Sequence, residues 1–388
     1  MPRAVIVSVV VGSRGRLGHE AADALDETRQ LAGSAGYTVV GEIGARRERP
    51  DAAFYLGSGK VDELAEMVRE REAAVAVFDV PLSPAQQRNL ERALNVTVLD
   101  RELLILEIFA QRAKSSEGKL QVEVAQLEHL ATRLVRGWTH LERQRGGLGK
   151  TGGPGEKQIE LDRRQIGVRI KRLRERLKAL GRQRRTQRRA RARGAVFSVS
   201  LVGYTNAGKS TLFNALARAE AFAADQLFAT LDTTSRRTFV APGIEVVLSD
   251  TVGFIRGLPH QLVDAFKSTL EESIEADLLL HVVDASSPAR DMQMAEVDRV
   301  LADIGAGEVP RLLVFNKIDR SDRMASVERD AYGTIRAVFL SAASGDGIGL
   351  LREAIAERVR GARSTPTSSR SIATVPALAA TAPAGLLE

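Results

Sequence analysis

The eight residues Gly203-Tyr204-Thr205-Asn206-Ala207-Gly208-Lys209-Ser210 constrain this chain more than any other feature. They fit G-x-x-x-x-G-K-[ST] directly after the apolar run FSVSLV (197–202) and before a helical pattern. In that setting the backbone N–H groups of 206–211, Thr211 included, form a cradle for phosphates at a helix N-terminus. Lys209 reaches the outer phosphate oxygens, and the Ser210 hydroxyl suits Mg2+. A strand, a phosphate loop and a helix in this order require an α/β unit with a mostly parallel sheet.

The unit continues through EVVLSD (245–250), DLLLHVVD (277–284), RLLVFNK (311–317) and AVFLSA (337–342), apolar runs suited to burial on both faces. Its span is read as 194–361. Asn316-Lys317-Ile318-Asp319 closes one of these runs, and the Asp319 carboxylate offers two acceptors to the N1–H and N2–H2 donors that guanine has and adenine lacks. Ser341-Ala342-Ala343 follows the next run and can offer backbone N–H to guanine O6. Between phosphate loop and base lie two sensing segments. In Asp250-Thr251-Val252-Gly253, Asp250 holds Mg2+ through water and the Gly253 N–H meets the γ-phosphate. In Phe228-Ala229-Thr230-Leu231-Asp232, Thr230 is the second protein ligand of Mg2+, with Thr233 and Thr234 as alternatives. Phe254 stands where Ras-type GTPases place a water-orienting Gln, which a phenyl ring cannot replace. Asn206 occupies the position at which some GTPases of similar phosphate-loop sequence coordinate K+, so K+ is the second candidate cation. Lys209, Thr230, Gly253 and Asn206 are the residues expected to carry hydrolysis.

Upstream, residues 1–110 alternate the strand runs AVIVSVVV (4–11), TVVGEI (38–43), AVAVFDV (74–80) and VTVLD (96–100) with helical stretches at 20–35, 61–73 and 84–94. This predicts a small α/β domain with a largely parallel sheet. Arg3 ahead of an apolar run faintly imitates a signal peptide, but Gly12-Ser13-Arg14-Gly15-Arg16 follows with no cleavage site, and a buried first strand is the better reading. From about residue 101 the apolar period changes to three and four. Two long helices joined by the Gly-rich segment 146–156 predict an antiparallel hairpin over 111–193.

Charge marks that hairpin. Residues 163–193 hold 15 Lys/Arg and the single acid Glu175, a net +14 in a chain whose total is +7, so the remainder carries −7. A solvated helix face mixes both signs; this ratio points to a polyanion such as RNA. The tip residues Gly146, Gly147, Gly149, Gly152, Gly153 and Gly155 would let backbone approach RNA closely. The absence of Cys removes disulfides, thiolate metal sites and cysteine nucleophiles, and favours a reducing compartment. No apolar run approaches the ~20 residues of a membrane helix. Residues 362–388, rich in Ala, Ser, Thr and Pro, read as a disordered tail.

Several patterns are discounted. GSGK (57–60) lacks the first Gly and the final Ser/Thr of a phosphate loop, GLGKT (147–151) follows no strand, and GSRGRLG (12–18) is too loosely spaced. The five His are scattered, with His281 read as a core strand residue.

The segments LGSGKVDEL (56–64), LSPAQQRNLERALNVTVLDR (82–101), IFAQRAKSSEGKLQVEVAQLEHL (108–130), PGEKQIELDRR (154–164), LFATLD (227–232) and DTVGFIRGLPHQLVDAFKSTLEE (250–272) together resemble the HflX GTPases. The resemblance implies a GTP-hydrolysing protein that binds the large ribosomal subunit and its rRNA; a monomer in the cytoplasm is the accompanying expectation. Some family members split stalled ribosomes under stress. It assigns GTP/GDP contacts to 203–210, 228–232, 250–253, 316–319 and 341–343, with Mg2+ on Ser210 and Thr230. Thr233 replaces a usual Pro, Lys157 replaces a usual Thr or Ser, and the glycine loop is one residue longer than the family's. The family's extra C-terminal region is reduced here to the polar tail. A GTP-timed checkpoint in large-subunit assembly is the rival reading. An ATP-driven RNA remodeller has little support, since the intact phosphate loop is paired with guanine selectivity.

Overall fold

The computed structural model describes residues 1–12, 18–136, 154–192, 196–217, 227–258 and 267–364. The N-terminal unit is a four-stranded, wholly parallel sheet in the order β2-β1-β3-β4, from Thr38–Arg47 (β2), Arg3–Val11 (β1), Val75–Phe78 (β3) and Thr97–Asp100 (β4). The uninterrupted apolar run of β1 is what a strand covered on both faces requires, and Ala4 to Val7 are fully buried. Helices α1 (Gly18–Ser34), α2 (Ser58–Glu70) and α3 (Pro84–Leu94) connect the strands. Ser83 and Gln86 form a reciprocal capping box with Pro84 in the first turn of α3, and Asn95 ends that helix in the left-handed region at φ 52°.

Asp100 ends β4 and at once caps α4 (Arg101–Arg112), accepting the Leu103 N–H at 3.0 Å. After a break at 113–115 the chain enters α5 (Ser116–Arg136), and α6 (Pro154–Ala192) packs against it, with ion pairs Glu123–Arg169 and Glu128–Arg174 across the seam. These are the two long helices expected of the hairpin. Most of its expected tip, residues 146–153, lies outside the described residues, as does the tail from 365 onward.

The C-terminal unit is a seven-stranded sheet in the order β10-β11-β9-β8-β5-β7-β6. Its parallel centre, β5 (Phe197–Gly203), β7 (Ile244–Asp250), β8 (Leu278–Asp284), β9 (Arg311–Asn316) and β11 (Ile335–Phe339), follows the apolar runs in the sequence. Two antiparallel edge strands, β6 (Thr234–Ala241) and β10 (Ser326–Arg329), carry no such run. Each is half solvated, with Arg236 and Arg237 of β6 exposed, so the polar sequence conceals them. Helices α7 (Lys209–Ala217), α8 (Lys267–Ile274), α9 (Arg290–Asp303) and α10 (Ile348–Ser364) flank the sheet. The last one runs on through Ser364, into the segment expected as tail. His281 is 2% exposed on β8, a core position as expected.

The two units share a core. One buried cluster runs from Leu31 of α1 through Leu104, Ile105, Ile108 and Phe109 of α4 and Val122 of α5 to Leu227, Phe228, Leu231, Phe254 and Ile255. The Phe109 and Phe228 rings meet edge to face with centroids 4.7 Å apart. Such a pair contributes about 0.5–1.5 kcal/mol beyond its buried area. No described helix is long and apolar enough to cross a membrane.

Candidate functional site

The phosphate loop leaves β5 at Gly203, whose φ of +151° and proximity to β8 admit no side chain: a Cβ there would lie 2.2 Å from the Val282 carbonyl oxygen. Gly208, at φ +91°, is equally obligatory, since a Cβ would lie 2.2 Å from the Asn316 amide nitrogen. Asn206 takes a φ of +60°, a region that Asn tolerates better than most residues. The loop then opens directly into α7, whose first N–H groups have no helical partner. Lys209 folds back over it, its Nζ donating to the carbonyls of Gly203 at 3.1 Å and Tyr204 at 2.8 Å. Burial pulls the Lys209 ammonium down to about 8, with Lys317 adding to the effect and Asp250 opposing it.

Three hydroxyl and carboxylate groups converge beside Lys209. Ser210 Oγ lies 2.7 Å from Thr230 Oγ1, and the two donate to Asp250 Oδ2 at 2.7 and 2.9 Å. Asp250 Oδ1 is buried without a partner. Burial holds the Asp250 carboxyl above its ordinary range, against the Ser210 and Thr230 hydroxyls and Lys209. An all-oxygen set with one unsatisfied, desolvated carboxylate oxygen fits a small hard divalent cation, which would relieve both defects. The structure brings Thr230 to this point, and Thr233 and Thr234 have no such contact; Thr234 begins β6.

The opposite end of the same cavity is built on β9. Asn316 is 2% exposed and does not point at the cavity alone: its Nδ2 donates to the Ala207 carbonyl and its Oδ1 accepts the Ala342 N–H, both at 2.9 Å. It therefore ties the phosphate loop to the 341–343 turn. Lys317, at φ +64°, pairs with Asp284 at 2.8 Å. Burial pushes the Asp284 carboxyl up, but Lys317 and Ser286 together bring it below its usual value. Asp319 is exposed at the cavity wall, with Arg320, Ala342 and Ala343 beside it.

Thr205, Asn206, Gly208 to Thr211, Phe228 to Thr230, Thr251 and Gly253 complete that wall. Other residues of the expected site spend their side chains elsewhere. Ala207, Leu231, Val252 and Ile318 are buried in the cores; Ser341 Oγ accepts the Ser344 N–H. Asp232 turns to the hairpin, where its carboxylate accepts the N–H groups of Lys114 and Ser115. Phe254 is fully buried, and its backbone bridges to the phosphate loop through Gly203 and Thr205.

Sequence reasoning missed a ring of contacts behind the loop. Tyr204 Oη donates to Glu27 and accepts the Arg256 N–H at 2.8 Å; Arg101 donates to Glu27 at 2.6 Å and to the Arg256 carbonyl at 2.9 Å. The ring clamps Arg256, just beyond the 250–253 segment, to both units. Burial and the Glu27 carboxylate drive the Tyr204 hydroxyl far above its usual range, so it stays protonated. No local pattern announces these partners, which lie 155 and 177 positions apart. The discounted GSGK instead forms the start of α2, with Lys60 paired to Glu63.

Comparison with known proteins agrees with this geometry along the chain. Residues 22–110 match a family described as GTP-binding GTPase N-terminal, 112–191 the GTP-binding GTPase middle region, and 198–317 a family described as 50S ribosome-binding GTPase. The GTPase HflX of Escherichia coli K12 is 53% identical over 338 residues, covering 87% of this chain and 79% of that protein. The GTPase HflX of Magnetococcus marinus is 51% identical over 84% of this chain and 75% of its own. Among solved structures, one described as SsGBP in complex with GDP aligns over 93% of this chain and 99% of its own, at 25% identity and a TM-score of 0.51. With matching family regions in order and relatives of this identity along most of its length, the chain belongs to the HflX family of GTPases, enzymes that hydrolyse GTP.

Proposed function

We propose that this GTPase engages the large ribosomal subunit and splits stalled or idle ribosomes under stress. The carrying observation is the outer face of α6. Glu123 and Glu128 of α5 neutralise Arg169 and Arg174, whereas Arg164, Lys171, Arg172, Arg176 and Lys178 are exposed with no acidic partner among the described residues. A helix that keeps one basic face free suits a phosphate backbone, and its binding weakens steeply with salt through counterion release. The 50S description of the matched family supports the same partner. A cytoplasmic location follows from it.

In this reading GTP lies with its base against Asp319 and the 341–343 turn and its phosphates over 206–211. Ser210 and Thr230, with Asp250 beside them, would hold Mg2+, which would supply charge neutralisation for the outer phosphates, and Asn206 would hold K+ as a second cation. Lys209 exchanges its carbonyl partners for phosphate oxygens, and Gly253 presents its N–H to the γ-phosphate. Thr230 would be held at this point while the γ-phosphate is present, and its release on hydrolysis would loosen the grip on the subunit. Phe254 has no group with which to orient water, so ribosomal subunits and K+ accelerate a slow intrinsic reaction.

Sedimentation of intact ribosomes with protein and a non-hydrolysable GTP analogue tests this. Conversion to free subunits is the expected result. Binding to large subunits without conversion replaces splitting by the assembly checkpoint, and absence of binding overturns the ribosomal reading.

A further inference from the structure

The 227–232 segment, which delivers Thr230 to the cation position, is anchored at both ends by residues outside its own domain. At its start the Leu227 N–H donates to Ser34 Oγ at 3.0 Å, and Phe228, at φ +54°, seats its ring on Phe109. At its end Asp232 Oδ2 accepts the N–H groups of Lys114 at 2.9 Å and Ser115 at 2.8 Å, while Oδ1 accepts a hydrogen bond from the Ser115 hydroxyl. Ser115 Oγ in turn accepts the Gly118 N–H at 2.8 Å, so Ser115 caps α5 and Asp232 completes the cap from another domain. A carboxylate at this end of a helix also meets the positive pole of its dipole. Leu231, 2% exposed, fills the core between Thr230 and Asp232 and leaves the segment little slack.

We propose that Asp232 is a positioning residue that couples Thr230 to the docking of hairpin helix α5, so that binding of the γ-phosphate and seating of the hairpin reinforce one another. The coupling is reciprocal: a polyanion that holds the hairpin seated raises the affinity for GTP by the same factor. What pulls on the hairpin rests on the ribosomal reading above; the coupling itself is measurable without ribosomes, so the two can fail separately.

Gly118 supplies the test. A Cβ there would lie 2.4 Å from Asp232 Oδ1 and 3.1 Å from Ser115 Oγ, so Gly118→Ala evicts the carboxylate while favouring the helix itself. Gly59→Ala adds the same methyl to α2 with nothing within 4 Å and serves as control; Ser115→Ala is a milder second variant. The full-length protein is measured with Mg2+ and either GDP or a non-hydrolysable GTP analogue, by nucleotide affinity and by amide hydrogen exchange at 114–119. In the wild type, exchange at Lys114 and Ser115 slows with the analogue relative to GDP. In Gly118→Ala the preference for the triphosphate over GDP falls about tenfold, GDP affinity stays within about twofold, and exchange at 114–115 no longer depends on the nucleotide. Ser115→Ala moves both readouts in the same direction by less. Exchange at 114–115 that is identical with both nucleotides in the wild type overturns the coupling, and so does an unchanged preference in Gly118→Ala.

Discussion

The two ends of the nucleotide cavity are held in different ways. At the base end the supports found among the described residues come from the same domain: Asn316 binds Ala207 and Ala342, and Lys317 binds Asp284. At the phosphate end Tyr204 and Asp250 hold Arg256 and Thr230 from within the domain, but Ser34, Arg101, Phe109 and Ser115, all in the N-terminal half, hold 227–232 and Arg256 as well. On the proposed reading, recognition of the base would rest on the GTPase domain, while sensing of the γ-phosphate would draw on both halves of the chain.

The largest expected effect removes the phosphate-end clamp. Arg101→Met leaves Glu27, with 13% of its side chain exposed, without its cation and takes a donor from the Arg256 carbonyl. Breaking one partner of such a pair costs roughly 3–5 kcal/mol. Denaturant unfolding will show that loss, and limited proteolysis around Arg256 will speed up; unchanged unfolding removes the clamp. Asp319→Asn attacks the other end, placing a donor against guanine's own donors, and costs roughly 2–4 kcal/mol of GDP affinity by calorimetry. Xanthine nucleotides, with a carbonyl at C2, gain in its place. Exchange at 114–115 stays as in the wild type once the site is saturated, because this end is not tied to the hairpin.

A third test acts on the sheet between the two ends. Burial pulls the His281 imidazole down to about 4, against Asp298 and with Arg311 and Lys209 adding to the effect. Its unfolded value is about 6.5, so between those values the unfolded chain binds more protons and stability rises with pH. That contribution is complete above pH 6.5 and lost toward pH 4, roughly 2–3 kcal/mol by pH 4.5. Urea titrations over this range should show the slope in the wild type and a weaker one in His281→Leu, with both ends of the cavity affected alike. The smallest effect is Phe109→Leu, which gives up the edge contact with Phe228 for about 1 kcal/mol. Nucleotide titration should show it in the affinity for the GTP analogue, with GDP affinity little changed.

The difference between the two ends also explains what could be read from the residues in order. The phosphate loop, Asn316 to Asp319 and the five central strands of the large sheet are legible because each is local: a turn that demands Gly, or an apolar run of strand length. Thr230 was legible only as the first of three candidate threonines, and the contacts with Ser210 and Asp250 separate it from Thr233 and Thr234. Asp232 was not, because its partners stand 117 and 118 positions earlier and its carboxylate serves a helix cap rather than a nucleotide. Strands β6 and β10 escaped for a different reason: edge strands solvated on one side need no apolar run. The Tyr204 ring escaped because tyrosine in that loop position carries no chemical requirement until Glu27 and Arg256 are folded against it.

The shared core has a consequence for synthesis on the ribosome. The face of α4 that carries Phe109 is complete long before Phe228 exists, since about 120 residues must follow, and at 5–20 residues per second this takes roughly 6–24 s. For that interval Phe109 of α4 lacks the Phe228 ring that meets it edge to face in the finished fold. Nascent chains of this protein are thus natural clients for holdase chaperones until the 227–255 region emerges.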